Sequence, residues 1–289
     1  MATAIDNPAD MRAWANAARA SGDTVALVPT MGALHRGHLE LFGAASRHAD
    51  HVVVSIFVNP LQFGEQGDFI HYPRPLDDDL RACDAAGVDV VYVPTASAMY
   101  PDGFATTVHV AGLTDMMEAA SRPGHFDGVS TVVTKLFTAV RPHVAVFGEK
   151  DFQQLAVVRR MALDLDLGIS IVGHPTIRES DGLAMSSRNR RLSGTERAAA
   201  VCVPRALAAG RDAAMSGAAS APEVIAAATR VIEAQPLAEL DYVALVDADT
   251  LHPIDEFVSA HRCSGRTRLA IAARFGDVRL IDNTDPFAN

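Results

Sequence analysis

Three short stretches hold the residue types that polyphosphate chemistry needs. The first is Pro29-Thr30-Met31-Gly32-Ala33-Leu34-His35-Arg36-Gly37-His38. His35 and His38 are three residues apart, so on a helix or tight turn they share one face. Two imidazoles on one face can donate to phosphate oxygens as negative charge builds in a transition state. The second is Phe147-Gly148-Glu149-Lys150-Asp151, which carries one of only two lysines in the chain, the other being Lys135. The third is Arg178-Glu179-Ser180-Asp181-Gly182-Leu183-Ala184-Met185-Ser186-Ser187-Arg188-Asn189. A glycine-containing loop with two hydroxyls and an arginine suits a mobile polyphosphate clamp.

Each stretch needs elements to aim it. Residues 24–28 are apolar and β-branched, flanked by Gly22 and Pro29, the pattern of a buried parallel strand. After the first motif, Leu39, Leu41, Phe42 and Ala45 recur at helical spacing. The motif is therefore a strand-to-helix turn. In an open α/β sheet that turn lies at the carboxyl ends of the strands, where ligands bind. Gly32 and Gly37 permit close backbone approach, and the helix start offers N–H groups and a positive dipole end. The competing reading is a glycine turn with two surface histidines. Lys150 also precedes a helix, where its charge opposes the positive dipole end. A bound anion would remove that conflict, so Lys150 is the best phosphate contact, as a point charge. Asp151 reads equally well as an N-cap, and Ser186 and Ser187 as the start of a helix.

Polar groups of a second kind lie between these stretches. Asn59-Pro60-Leu61-Gln62-Phe63 follows another strand, and its amides are oriented donors and acceptors suited to the hydroxyls or carboxylate of a small polar substrate. Gln153 and Gln154 follow Lys150 on the first helical turn, where one of them can face the carboxyl edge. Asp77, Asp78 and Asp79 open a helix. They either complement its dipole or stand near Mg²⁺, which takes one or two carboxylates with phosphates and waters. Arg122 is a candidate anion contact and His125 is expected to order its loop, while Cys83, His109 and His174 read as structural.

Strand-like runs recur at 51–58, 88–93, 143–147 and 169–173, with helical patterns at 8–20, 75–86, 126–140 and 151–167. Such alternation implies right-handed βαβ units and a parallel sheet. The expected fold is α/β, a Rossmann-like parallel sheet with helices on both faces, plus a smaller C-terminal α+β domain. The boundary falls near 175–190 and is set at 1–176 and 177–289. Residues 106–110 read as a short strand, and 61–68 as a polar loop. Beyond the boundary, 195–215 reads as one helix, 216–220 as a link, 222–234 as a helix, and 240–246, 267–273 and 278–281 as strands.

The chain has 25 basic and 35 acidic residues, a net charge of −10, which argues against broad binding to nucleic acid. No apolar run reaches membrane-spanning length, and the first residues lack a basic region followed by an apolar stretch. The cytoplasm is the expected compartment. Cys83, Cys202 and Cys263 are widely spaced, form neither a disulfide framework nor a zinc pattern, and are expected to be reduced and buried.

The first motif resembles the signature of the pantothenate synthetase family, within the superfamily of nucleotidyltransferases and class I aminoacyl-tRNA synthetases that share an HxGH-type motif. The resemblance covers almost the whole chain. It extends through Phe57-Val58-Asn59-Pro60-x-Gln62-Phe63, Tyr72-Pro73-Arg74, Arg122-Pro123-Gly124-His125-Phe126-x-Gly128-Val129, Gly148-Glu149-Lys150-Asp151-x-Gln153-Gln154, the 178–189 loop and Arg279-Leu280-Ile281-Asp282-Asn283. Met185-Ser186-Ser187-Arg188 is similar to the mobile KMSKS-type loop of that superfamily.

The resemblance implies ATP-dependent joining of pantoate to β-alanine through a pantoyl adenylate, releasing AMP and pyrophosphate. It places His35, His38, Lys150, Ser186, Ser187 and Arg188 on the ATP phosphates. Pro29, Met31, Gly32, Ala33, Leu34, Arg36, Gly37, Gly148, Glu149, Asp151, Ile177 and Met185 complete the implied ATP site. Gln62 and Gln154, with Met31 and Arg122, would bind pantoate, and Gln62 would also meet β-alanine. Mg²⁺ would accompany the phosphates near Asp78 or Asp79. The C-terminal domain would act as a lid, and the family is usually homodimeric. Two rivals are a nucleotidyltransferase acting on a phosphorylated acceptor and a non-catalytic ATP-sensing module.

Overall fold

A computed structural model describes residues 2–63, 66–216, 220–257 and 264–288. Two compact units divide the chain: 1–149 with 153–175, and 150–152 with 176–289.

The first unit holds a six-stranded parallel sheet. Its strands are β1 (Thr3–Ile5), β2 (Val25–Thr30), β3 (His51–Ile56), β4 (Val90–Tyr92), β5 (Val144–Gly148) and β6 (Ser170–His174), in the order β1-β4-β3-β2-β5-β6. Its helices are α1 (Pro8–Ala20), α2 (Arg36–Ala45), α3 (Gln66–His71), α4 (Leu76–Ala85), α5 (Ala96–Met99), α6 (Glu118–Ser121) and α7 (His125–Val140). Helix α8 (Phe152–Asp164) carries the chain into β6. Period-2 alternation divides the strand residues between two faces. Ala26, Val28, Val52, Val54, Val91 and Val146 pack with Phe42 and Ala45 of α2 and Cys83 of α4. Helices α1 and α7 pack together and on β2. From β2 the chain moves to β3 on one side and β5 lies on the other, so the topological switch point falls between β2 and β5.

The second unit holds an antiparallel sheet, β7 (Glu239–Asp247), β8 (Thr267–Phe275) and β9 (Val278–Thr284), with helices α9 (Gly194–Ala199), α10 (Cys202–Met215) and α11 (Ala221–Glu233). Its core joins Val203 and Leu207 of α10 and Val224, Ala228 and Ile232 of α11 to Leu269, Ile271 and Phe275 of β8.

The structure differs from the sequence expectations in several places. Residues 106–110 form no strand: the Val108 N–H donates to Thr131 Oγ1 instead. The 195–215 helix is broken at Ala200 and Val201. Pro204 has no N–H to donate to the Ala200 carbonyl, which ends the continuous ladder there. The 61–68 loop begins as a 3₁₀ turn over Pro60–Gln62 and resumes as α3, with residues 64–65 outside the described residues. Residues 217–219 of the expected link, and Cys263, also lie outside them.

Candidate active site

The β2–α2 turn is held from outside its own sequence. Its backbone is unusual, with Gly32 at φ 80° and Ala33 at φ 51°, a region costly for a residue with a Cβ. Asp79, 3% exposed on α4, secures it. One carboxylate oxygen accepts from Ala33 N–H and the other from Leu34 N–H, each at 2.8 Å. A Cβ on Gly32 would sit 2.8 Å from the same carboxylate, so the motif needs glycine for space as well as for φ. Thr30 Oγ1 donates to the Ser55 carbonyl and accepts from Gly32 N–H.

This turn presents the start of α2. His35 is its N-cap, in extended conformation, and His38 is the third helical residue. The His35 N–H donates to His38 Nδ1 at 3.3 Å. An accepting Nδ1 places the proton of a neutral ring on Nε2. The two rings lie 4.0 Å apart between centroids, tilted by 32°. Both imidazoles thus stand at the positive end of a helix on the carboxyl edge of the sheet, beside the switch point. That arrangement suits an anion.

A second cluster, also in the first unit, surrounds Gln62. The Gln62 Nε2 donates to Met31 Sδ at 3.2 Å, and its Oε1 accepts from Asn59 Nδ2 at 3.0 Å. Asn59, 1% exposed, also donates to the Gly128 carbonyl and accepts from the Tyr100 hydroxyl at 2.7 Å. Burial raises the Tyr100 phenol far above its ordinary pKa, so it remains a donor. His125 Nδ1 meets the Gln62 carbonyl at 2.8 Å, and Arg122 Nη2 donates to that carbonyl at 3.2 Å. Gly128 on α7 lies where a Cβ would collide with the Leu61 carbonyl. Met31, Gln62 and Arg122 are therefore brought together, with His125 ordering the loop. Gln154 is half-buried on α8 and makes no hydrogen bond to Gln62. Its neighbour Gln153 is committed elsewhere, accepting from Glu118 N–H and donating to the Leu113 and Met116 carbonyls.

The expectation of aspartates beside Mg²⁺ meets a different arrangement. Both Asp79 oxygens hold the motif backbone, and Asp78 is an exposed partner of Arg81. No group of three or more His, Cys, Asp or Glu suited to a metal occurs among the described residues. In this structure Asp79 serves the motif backbone and Asp78 pairs with Arg81.

In the second unit Lys150 lies in a 3₁₀ turn, with its side chain 18% exposed and its Nζ 3.8 Å from Asp151 Oδ2. Asn283 Nδ2 donates to the Lys150 carbonyl at 2.9 Å. The adjacent Asp282, 2% exposed, takes both Arg178 guanidinium nitrogens, at 2.6 and 3.1 Å. Residues Asp282 and Asn283 of β9 thus tie the Lys150 turn and the 178–189 loop to one strand. Within that loop Arg178 pairs with Ala184 as a β-bridge, and Met185 N–H donates to the Ile177 carbonyl. Ser186 caps a 3₁₀ turn over Ser187–Arg191 by accepting from Arg188 N–H at 3.3 Å. Ser187 is 9% exposed. Pattern reading did not assign Asp282, Asn283 or the true work of Asp79.

A parallel α/β sheet with paired histidines at a helix start beside its switch point is the arrangement of an α/β enzyme that handles an anionic substrate. Residues 3–285 match the profile of the Pantoate-beta-alanine ligase family, and the chain belongs to that family. It is 51% identical over 279 residues to a pantothenate synthetase of Geobacter sulfurreducens, covering 96% of each chain. A pantothenate synthetase of Mycolicibacterium smegmatis is 52% identical over 96% of this chain and 85% of its own. A crystal structure of the Thermus thermophilus pantothenate synthetase superposes with a TM-score of 0.91 at 45% identity, covering 99% of this chain and 100% of its own. A Francisella tularensis pantoate-beta-alanine ligase, crystallised in complex with β,γ-ATP and β-alanine, gives a TM-score of 0.79 at 29% identity, covering 100% of this chain and 99% of its own. No helix among the described residues is long and apolar enough to cross a membrane.

Proposed function

We infer that the chain condenses pantoate with β-alanine at the expense of ATP. In the first step a pantoate carboxylate oxygen attacks the α-phosphorus, the bond to the β-phosphate oxygen breaks, and pyrophosphate leaves. In the second the amine of β-alanine attacks the acyl carbon, the bond to AMP breaks, and a proton leaves the nitrogen as the amide forms. Two anions must meet in the first step, so charge neutralisation and positioning dominate the barrier. The observation that carries this reading is the Asp79-held turn, which sets His35 and His38 at the start of α2 in a chain of this family.

In this reading His35, His38, Lys150, Ser186, Ser187 and Arg188 stabilise the phosphates. Residues 29–38 and 148–151, with Ile177 and Met185, hold the nucleotide. Gln62, Gln154, Met31 and Arg122 hold pantoate, and Gln62 also meets β-alanine. The amide Oε1 and Nε2 of Gln62 are already oriented by Asn59 and Met31, which supports recognition of hydroxyls over a phosphorylated acceptor. Residues 1–176 take the nucleotide- and pantoate-binding role and 177–289 the lid role. Mg²⁺ enters with the ATP phosphates and water, near Asp78 or Asp79. The protein works as a cytoplasmic homodimer.

Pantoate-dependent exchange of labelled pyrophosphate into ATP, with Mg²⁺ and without β-alanine, tests the reading. Exchange is expected. Failure of exchange, joined to failure of β-alanine to elicit AMP, would overturn it and favour a phosphorylated acceptor.

A further inference from the structure

The edge of the first unit's sheet opposite the candidate active site carries a cavity of about 440 Å³, within the size range of small-molecule sites. Its walls include Arg12 and Arg19 of α1, Arg141 at the end of α7, and His143 just before β5. Arg12 and Arg19 are seven residues apart, on one face of α1. Some arginines elsewhere face carboxylates, as Arg160 does Asp164 and Arg266 does Asp249, while others, such as Arg47 and Arg74, donate to carbonyls. Among the described residues, Arg12, Arg19 and Arg141 face none.

Helix ends account for part of this charge but not all. Helices α1, α7 and α8 finish at this edge, each contributing about half a negative charge. Three guanidiniums leave a surplus of roughly one to two positive charges. Asp50 stands outside the wall, but its carboxylate, kept ionised by the Thr24 N–H and hydroxyl and felt by His143, trims that surplus.

Arg19, Arg141 and His143 are tied to their neighbours. Arg141 has φ 47° and ψ 50°, a conformation that glycine would adopt without strain. Its Nη1 donates to Asn16 Oδ1 at 2.6 Å, and its carbonyl accepts from Arg19 Nη1 at 3.0 Å. His143 Nδ1 accepts from Val25 N–H at 2.9 Å, so the neutral ring offers an Nε2–H. Burial, with the Arg19 charge, holds the His143 pKa below its ordinary value and keeps the ring neutral. Phe137 and Ile169 add apolar lining.

We propose that this cavity binds a phosphate monoester with an apolar body, at a site separate from the β2–α2 turn. A phosphate monoester carries about −1.5 to −2 at neutral pH, a charge three guanidiniums and the His143 Nε2–H can meet, and the lining suits a ring or short chain on the ester oxygen.

The test is titration of the full chain with phenyl phosphate, followed by ³¹P NMR with the nucleotide site saturated by a non-hydrolysable ATP analogue. Wild type is expected to bind with Kd of about 1 mM or tighter. Arg12→Gln and Arg141→Gln should each weaken binding roughly fivefold, the scale of one partly exposed ion pair, while Lys150→Ala leaves it unchanged. Arg12 is exposed and makes no hydrogen bond among the described residues, so its variant should melt with wild type. Inorganic phosphate should bind more weakly with the same arginine dependence. Equal affinity in Arg12→Gln and wild type, loss of binding in Lys150→Ala, or no binding up to about 20 mM would overturn the proposal. Equal affinity for inorganic phosphate and phenyl phosphate would overturn the ester assignment.

Discussion

Asp79→Ala is the most informative single change. The side chain is buried and supplies both acceptors for Ala33 and Leu34 N–H. Its removal strands two donors, each worth about 1–3 kcal/mol, or about 2–6 kcal/mol together. The turn then loses what holds Ala33 at positive φ, and His35 and His38 lose their placement. A misplacement of about 1 Å costs roughly 10²-fold in rate. Asp79→Asn should lose at least half as much, because its NH₂ would face a backbone N–H. Two assays separate positioning from metal binding. Hydrogen exchange should show the Ala33 and Leu34 amides deprotected while β2 amides stay protected. Pyrophosphate exchange should fall by about 10² with the half-saturating Mg²⁺ concentration moved by less than about twofold. Unchanged amide protection with a near-wild-type rate would refute the reasoning. A tenfold or larger rise in the Mg²⁺ requirement would make Asp79 a metal ligand after all.

Four further outcomes follow from the geometry. His38→Ala and Lys150→Ala should each slow adenylate formation by roughly 10², the scale of one preorganised donor, as read by pyrophosphate exchange. Gly128→Ala should destabilise the fold by about 1–3 kcal/mol through overpacking against Leu61, and steady-state kinetics should show the pantoate KM rising more than the ATP KM. Asp282→Ala should lower stability by about 2 kcal/mol, below the 3–5 of a wholly buried pair, because the Arg178 side chain keeps 33% of its surface in water; a thermal melt checks this. Burial pushes the Cys83 thiol up to about 12 and the Cys202 thiol to about 11, so at pH 8 their thiolate fractions are about 10⁻³ or less, and peptide mapping after brief treatment with a thiol reagent should find both unmodified.

The buried strands were legible because a parallel strand covered on both faces reads as a continuous apolar run, as in His51–Ile56. Strand β1 escaped because three residues, two of them exposed, give no such run. Residues 106–110 misled because alternation marks a strand only when a neighbour is present to complete the ladder. The break before α10 was legible in principle from Pro204, whose missing N–H matters more than the helical propensity of the alanines around it. At the site, the histidines and Lys150 could be read from their places at strand-to-helix turns. Asp79 carried a readable signal too: it lies four residues before buried Cys83 on α4, so its carboxylate had to face inward toward a partner. The partnership of β9 with Lys150 and Arg178 could not be read this way, since those residues are more than 100 positions apart in the chain.

The turn carrying Lys150 lies, in sequence, inside the first unit, yet residues 150–152 belong with the second. Cutting the gene after residue 175 therefore would not excise a self-sufficient module. The shortened product would keep Lys150 but lose Asn283, the donor to its carbonyl. A chimera exchanging everything beyond 176 with a relative would likewise pair one parent's lysine turn with the other's β9. Modular engineering of this chain has to treat residues 150–152 and 282–283 as one inherited block.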